Sequence, residues 1–135
     1  NSVYRGVMCL VALRGAKDFR ADDAIHFHTL EDHHIFPVDY LKKQSTLKGE
    51  KLSSNQINTI VNRTLISAST NKSISKSSPR EYLQKVIPGD RTAEILASHF
   101  IDRQAVEAMC ENDFEKFLKL RDSALIAEIN KRIGG

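Results

Sequence analysis

The stretch DHHIFP at residues 32–37 sets the organisation of this chain, because two adjacent histidines stand just ahead of a proline. Residues 25–31 alternate between apolar and polar side chains, which predicts a strand leading into this stretch. Neighbouring side chains of a strand point to opposite faces, so we expect His33 and His34 to face different sides of it. Pro37 is expected to end the strand.

The segment after Pro37 is expected to connect this strand with a second one. Residues 38–43 predict one or two helical turns, and the Ser, Lys and Gly content of residues 44–56 is typical of a surface loop. Asn62 then turns the chain, and the short apolar run at residues 64–67 predicts the second strand.

A helix is predicted directly after the second strand. Ser69 or Thr70 can cap its first turn, in which Asn71 would lie, nine positions after Asn62. A break rich in Ser and Lys follows. The histidine pair and the two asparagines therefore belong to one strand, strand, helix unit, which we place at about residues 25–77.

Helical flanks are predicted on both sides of this unit, at residues 2–14 and 79–133. Ser78 can cap the first helix after the unit, and Pro79 suits its first position. A short amphipathic helix is expected at residues 91–100. Beyond it, apolar residues recur at spacings of three and four, which predicts two further helices.

Length and composition favour a single α+β domain over residues 1–135, mostly α-helical. A hydrophobic fraction of 41% is enough to build one modest core. No apolar stretch approaches the roughly 20 residues of a membrane span, and no secretory signal is recognised, so we expect a cytoplasmic protein without a membrane partner. Cys9 and Cys110 lie far apart and form no CxxC, which predicts two reduced, buried thiols.

Positive charge is concentrated around the histidine pair and the helix that follows. Residues 38–91 hold ten Lys and Arg against four Asp and Glu, a balance of +6, whereas the remaining ten basic and thirteen acidic residues give −3. The whole chain has a net charge of +3. A basic segment beside a reactive site suits a phosphodiester substrate, although exposed lysines on any loop give the same count.

The residue types in this unit match what phosphodiester hydrolysis needs: a positioned water, a base and a cation. His34 is the candidate base, because histidine titrates near neutral pH. His33 and Asn71 are candidate ligands of one divalent ion, Mg²⁺ or Mn²⁺ by preference, with Zn²⁺ or Ni²⁺ compatible with the imidazole. Asn62 is expected to orient the base by bonding backbone groups across the loop, not to bind the ion.

These residues resemble the HNH, or ββα-metal, endonuclease motif, including the HNH domain of the RNA-guided CRISPR nuclease. The resemblance rests on residues 32–37 together with residues 61–71. It implies a ββα-metal core embedded among helices, with His34 and Asn62 as catalytic residues and His33 and Asn71 as metal ligands. The implied activity is metal-dependent hydrolysis of DNA.

Flanking segments resemble the C-terminal nuclease region of GmrSD-type modification-dependent restriction proteins. They read GAKDF at 15–19, SPREYL at 78–83, SHFI at 98–101 and DFEKFLKLR at 113–121. In such families a ParB-like domain often precedes this region, so the resemblance implies an excised domain acting in restriction or phage defence. Two positions depart from the pattern: Asn71 stands where the name-giving motif has histidine, and Val61 where the GmrSD-like pattern often has glycine.

Several residues and functions remain open to alternatives at this point. Lys72, Lys76 and Arg80 follow the metal helix and are candidates for contacting DNA, with a charged surface as the equally weighted alternative. The other histidines, at 26, 28 and 99, are expected to be scaffold, and His99 to be hydrogen-bonded and partly buried. A nucleic-acid-binding or interaction module without turnover, or a nuclease acting on RNA or as a toxin, would share the same residues.

Overall fold

A small antiparallel sheet and a set of helices make up the part of the chain that the computed structural model describes, residues 2–13, 16–19, 30–87 and 89–134. Strand β1 (Leu30–His34) pairs with β2 (Arg63–Ser67), with His33 opposite Thr64 and His34 opposite Arg63. The predicted α+β class is confirmed, as is its mostly helical character. The first residues of the predicted strand, 25–29, lie outside the described residues, and His26 and His28 with them.

Helices surround this hairpin on the described part of the chain. Two short 3₁₀ turns join them, at Ile60–Asn62 and Gly89–Arg91. The α-helices are α1 (Ser2–Leu13), α2 (Val38–Lys48), α3 (Ser54–Ile57), α4 (Ala68–Ile74), α5 (Pro79–Lys85), α6 (Thr92–Ala97), α7 (Arg103–Cys110) and α8 (Phe114–Gly134).

The connection between the strands is more helical than the sequence predicted. Helix α2 continues five residues past Lys43, and α3 forms within the segment 44–56 that was expected to be a loop. The signal that ends α2 is Gly49, whose φ of 71° lies in the left-handed region that favours glycine. Ser53 begins α3 through a capping box with Gln56.

The helices after β2 begin at clear capping residues. Ser67 caps α4 by accepting the Thr70 N–H, so the prediction of Ser69 or Thr70 as the cap was wrong. Ser67 serves because the last strand residue already has the extended backbone that a cap needs. The prediction for α5 is confirmed, with Ser78 as cap and Pro79 in the first position.

Buried apolar side chains form two clusters that hold the hairpin from both sides. The larger joins β2 and the residues directly after β1 to helices α2 to α8, and it includes Ile35, Phe36, Ile66 and Phe117. The smaller gathers the buried face of α1 around Leu125 of α8. Helix α8 therefore contributes to both clusters, and Leu65 of β2 also packs against the smaller one.

Two further findings concern the surface. Cys9 and Cys110 are free but exposed, so their predicted burial was wrong; each lies on the outer side of a helix whose buried positions are taken by other apolar residues. Among the described helices, none combines the length and the apolar character required to cross a membrane.

Candidate functional site

The two histidines occupy different environments, as the alternation of a strand requires. His33 is buried, with 2% of its surface exposed, whereas its neighbour His34 is only half-buried. His33 lies on the face of β1 that turns toward α4, and His34 lies on the other face. The predicted division between the two side chains is therefore confirmed.

His33 meets Asn71 of α4 directly. His33 Nδ1 lies 2.8 Å from Asn71 Oδ1, so the two predicted ligands are brought together across 38 residues of sequence. Burial lowers the pKa of His33 from 6.5 to about 4, although the hydrogen bond to Asn71 acts in the opposite direction. The ring is therefore neutral at pH 7, which is the form of histidine that can bind a metal.

The second ring nitrogen of His33 has no hydrogen-bond partner among the described residues. His33 Nε2 is buried, and the ring meets Phe19 and Tyr82 in edge-on contacts with centroid distances of 5.9 and 6.0 Å. Buried polar atoms are almost always hydrogen-bonded, and exceptions often mark a functional site. A purely structural role therefore explains this histidine incompletely.

The 2.8 Å contact between His33 Nδ1 and Asn71 Oδ1 is a hydrogen bond in which Nδ1–H donates, because an amide oxygen only accepts. A divalent ion bound by both atoms would take the place of that proton. Asn71 also lines an open cavity of about 540 Å³ together with Glu31 and Lys72, and His33 is not part of its lining. Within the described ranges, no group of three or more His, Cys, Asp or Glu residues could hold a metal.

His34 is held by a residue that the sequence analysis did not single out. His34 Nε2 lies 2.8 Å from Oδ1 of Asn58, which ends α3. Because an amide oxygen only accepts, Nε2 carries the proton and the lone pair is on Nδ1. No local pattern marks Asn58, since it reaches His34 across 24 residues of sequence.

An ion pair accompanies His34 on the same face of the hairpin. Arg63 stands opposite His34 in the strand register, and its guanidinium binds the Asp32 carboxylate through two nitrogens, with Nε 3.0 Å from Oδ1. The pair is partly buried, with about a quarter of each side chain exposed. A fixed cation therefore lies beside the half-buried histidine.

Asn62 makes the backbone hydrogen bonds that the sequence analysis predicted for it. It is fully buried; its Oδ1 accepts the Phe36 N–H at 2.8 Å, and its Nδ2 donates to the carbonyls of Phe36 at 3.1 Å and Ile57 at 3.0 Å. The Asn62 carbonyl accepts the Ile35 N–H at 2.8 Å. Asn62 thus fixes the end of β1 directly after His34.

Buried polar residues outside the motif support the hairpin. His99 donates from Nε2 to the Lys17 carbonyl at 2.6 Å and accepts the Thr64 hydroxyl at Nδ1, also at 2.6 Å. The expected hydrogen bonding of His99 is confirmed, but the residue is fully buried instead of partly buried. Asp18 accepts the Ser67 N–H and the Thr70 hydroxyl, and thereby anchors the start of α4.

The most buried charge in the described part of the chain is Arg121 of α8. Its Nη1 donates to the carbonyls of Val61 at 2.8 Å and Arg63 at 2.7 Å, and its Nη2 donates to that of His99 at 3.0 Å. The sequence analysis missed it, because an arginine in an amphipathic helix normally lies on the solvent side.

The three predicted DNA-contacting residues are all exposed. Lys72 follows Asn71 on α4 and lines the same cavity. Lys76 lies in the turn after α4, and Arg80 in the first turn of α5. Of the three, only Lys72 borders a cavity with a predicted ligand.

Comparison with known proteins identifies a relative without an assigned function. No protein-family model matches the chain, and no solved structure matches it. An uncharacterized protein of Methanocaldococcus jannaschii is 32% identical over 152 aligned residues, which cover 96% of this chain and 25% of the archaeal protein. The chain therefore spans about a quarter of the length of this relative.

Proposed function

We propose that this chain is an HNH-type, metal-dependent endonuclease that hydrolyses phosphodiester bonds in DNA. The observation that carries the proposal is the 2.8 Å contact between His33 Nδ1 and Asn71 Oδ1, two residues that the motif requires to meet. The hydrogen bonds of Asn62 to Phe36 support it, because they fix the strand end that bears His34. The strand, strand, helix order that carries these residues supports the proposal, because a ββα-metal core has the same order.

In the proposed reaction, His34 is the general base. Its Nδ1 lone pair accepts a proton from a water that attacks the scissile phosphorus, while Asn58 holds Nε2–H. His33 and Asn71 would hold a divalent ion, Mg²⁺ by preference, which supplies positive charge at the leaving oxygen. Because these ligands are neutral, most of the shell is left to water and phosphate oxygens. Arg63 lies beside His34 on the same face, with its charge paired to Asp32.

The wider biological setting follows from the GmrSD resemblance. We propose a cytoplasmic role in restriction or phage defence, with an N-terminal ParB-like domain in the full-length protein. That the chain spans 25% of its archaeal relative is compatible with a larger protein. Lys72, Lys76 and Arg80 are proposed to contact the DNA backbone, and the exposure of all three supports this.

The decisive experiment compares purified wild-type chain with His34→Ala on supercoiled plasmid, with and without added Mg²⁺ or Mn²⁺. We expect nicking by the wild type that depends on metal and disappears in the variant. Lys116→Ala, an exposed change on α8, is the matched control and should nick like the wild type. Equal nicking by all three proteins would reveal a contaminating nuclease and refute the proposal.

Substrate class is tested in the same assay. A structured RNA replaces the plasmid in a parallel reaction, and cleavage of RNA alone would overturn the assignment of DNA as the substrate. Metal-independent binding of DNA without any cleavage would favour the nucleic-acid-binding module instead.

A further inference from the structure

The site depends on a residue far outside the motif, Arg121 on the C-terminal helix. Arg121 is 0% exposed, and its hydrogen-bond partners among the described residues are backbone carbonyls, with no carboxylate. Burying a cation without an anion is costly, so a general gain in stability is a poor reason for its presence. Its geometry offers a better one.

The Arg121 guanidinium holds the backbone on both sides of Asn62. The single nitrogen Nη1 donates to the carbonyls of Val61 and Arg63, which are the residues immediately before and after Asn62. These carbonyls belong to the end of a 3₁₀ turn and the start of β2. A planar fork with fixed donor directions can grip such a pair, whereas a lysine ammonium provides only a point charge.

The hydrogen bonds continue from this turn to His34. Asn62 binds the amide and the carbonyl of Phe36, and its own carbonyl accepts the Ile35 N–H, so the two residues after His34 are fixed. The proposed ligand pair is supported from elsewhere: Asp18 anchors the start of α4 through Ser67. Arg121 therefore reaches the His34 side of the hairpin through Asn62. Its bonds to the His99 carbonyl also link it to Thr64, which binds His99 and stands opposite His33.

We propose that Arg121 is a positioning residue of the nuclease site: from α8 it fixes the backbone around Asn62 and thereby the orientation of His34. The role in turnover rests on the proposed function, whereas the mechanical link from Arg121 to Phe36 does not. The expected signature is a kcat lowered by roughly 10- to 100-fold, the range for losing a supporting residue, at unchanged KM and with a smaller loss of metal affinity than in His33→Ala.

The test compares Arg121→Met with Met109→Ala, which opens the core at a fully buried position on α7 away from the Asn62 turn. Both are assayed at a temperature where each is folded. We expect the loss of kcat only in Arg121→Met. Arg121→Lys serves if the methionine variant does not fold, and it should show the same loss. Equal kcat for the arginine variant and the wild type would overturn the proposal.

A double variant tests whether Arg121 acts through Asn62. If it does, Asn62→Ala with Arg121→Met should lose about as much kcat as the more severe single variant, whereas independent roles would multiply the losses. Multiplied losses would contradict the proposed route.

Hydrogen exchange of the Phe36 amide separates this inference from the proposed function, since the Phe36 N–H binds Asn62 Oδ1. We expect faster exchange in Arg121→Met than in Met109→Ala at matched overall stability. If the wild type proves inactive on nucleic acids but exchange still accelerates, the nuclease assignment fails and the link from Arg121 stands. If the Phe36 amide exchanges no faster in Arg121→Met than in Met109→Ala, the link from Arg121 to Phe36 is refuted, whatever the nuclease activity.

Discussion

The two faces of the hairpin carry the same residue type in opposite states. On one face, His33 is enclosed by aromatic rings and Asn71, and burial lowers its pKa to about 4. On the other face, His34 is half-buried beside the Asp32–Arg63 pair. One step along a strand thus separates a buried imidazole that is neutral at pH 7 from one within reach of solvent. A proposed ligand and a proposed base can therefore be adjacent in sequence.

Removal of the solvent-facing His34 ring is the strongest test of this difference between the two faces. Because a general base contributes on the order of 10² to 10⁴ in rate, we expect His34→Ala to lose that much turnover. Metal affinity and melting temperature should stay near the wild type, since the ring is half-buried and, within the described part of the chain, its side-chain hydrogen bond is to Asn58. Calorimetry, melting and nicking measured together check this. A loss of metal affinity equal to that of His33→Ala would mean that the faces do not differ in role.

Substitutions on the buried face should weaken metal binding, which His34→Ala is expected to leave unchanged. We expect His33→Ala and Asn71→Ala each to weaken divalent-metal binding by more than the 10- to 100-fold typical of losing a supporting residue. Excess metal should partly restore nicking, since water can replace the missing ligand. Isothermal calorimetry with Mn²⁺ measures the affinity. Unchanged affinity in both variants would refute the ligand pair.

Asn62 connects the faces and should show a mixed phenotype. We expect Asn62→Ala to reduce turnover roughly 10- to 100-fold and to lower the free energy of unfolding by about 1 to 3 kcal/mol, since the Phe36 amide loses its buried acceptor. Metal affinity should fall less than in His33→Ala. Urea unfolding and calorimetry on the same sample decide the matter. Severe metal loss without loss of stability would make Asn62 a ligand.

Stability should decline in acid because of buried histidines. The pKa of His99 is lowered to about 3 by burial, and that of His33 to about 4. The unfolded chain takes up these protons near pH 6.5 while the folded chain does not. Folding stability is therefore fully present above pH 6.5 and falls toward pH 4, by about 1.4 kcal/mol per pH unit for each histidine.

Replacing one of the two histidines measures its share of this decline. His99→Gln removes one titrating group, so its stability should fall less steeply than that of the wild type between pH 6.5 and 4. Urea unfolding at several pH values gives both slopes. Parallel slopes for the two proteins would show that His99 does not titrate as its burial requires.

The smallest effect is expected at the rim of the site. Each phosphate contact contributes a slope of about 0.9 to the dependence of log affinity on log salt concentration. Lys72→Gln should reduce the slope of DNA binding by roughly that amount, while Lys116→Gln on α8 should leave it unchanged. Fluorescence anisotropy with the His34→Ala background avoids cleavage. Equal salt slopes for Lys72→Gln and Lys116→Gln would show that Lys72 does not contact the DNA backbone.

The sequence was sufficient for features that depend on neighbours along the chain. Strand alternation separated His33 from His34, the Ser78–Pro79 pair marked the start of α5, and the position of Asn62 before β2 predicted its backbone hydrogen bonds. Where local signals were weaker the predictions were wrong: α2 runs on to Lys48, and Ser67, not Ser69 or Thr70, caps α4.

Only the tertiary structure decided which distant groups support the site. Asn58 reaches His34 across 24 residues, Arg121 reaches the Asn62 turn across about 60, and His99 reaches Lys17 across 82. Periodicity and capping signals describe a chain locally, whereas these contacts arise when helices pack and bury polar groups that must then find partners. The order of the elements and the identity of the motif residues were therefore determined by the sequence alone, whereas the burial that neutralises His33 and the arginine that fixes Asn62 were decided by packing.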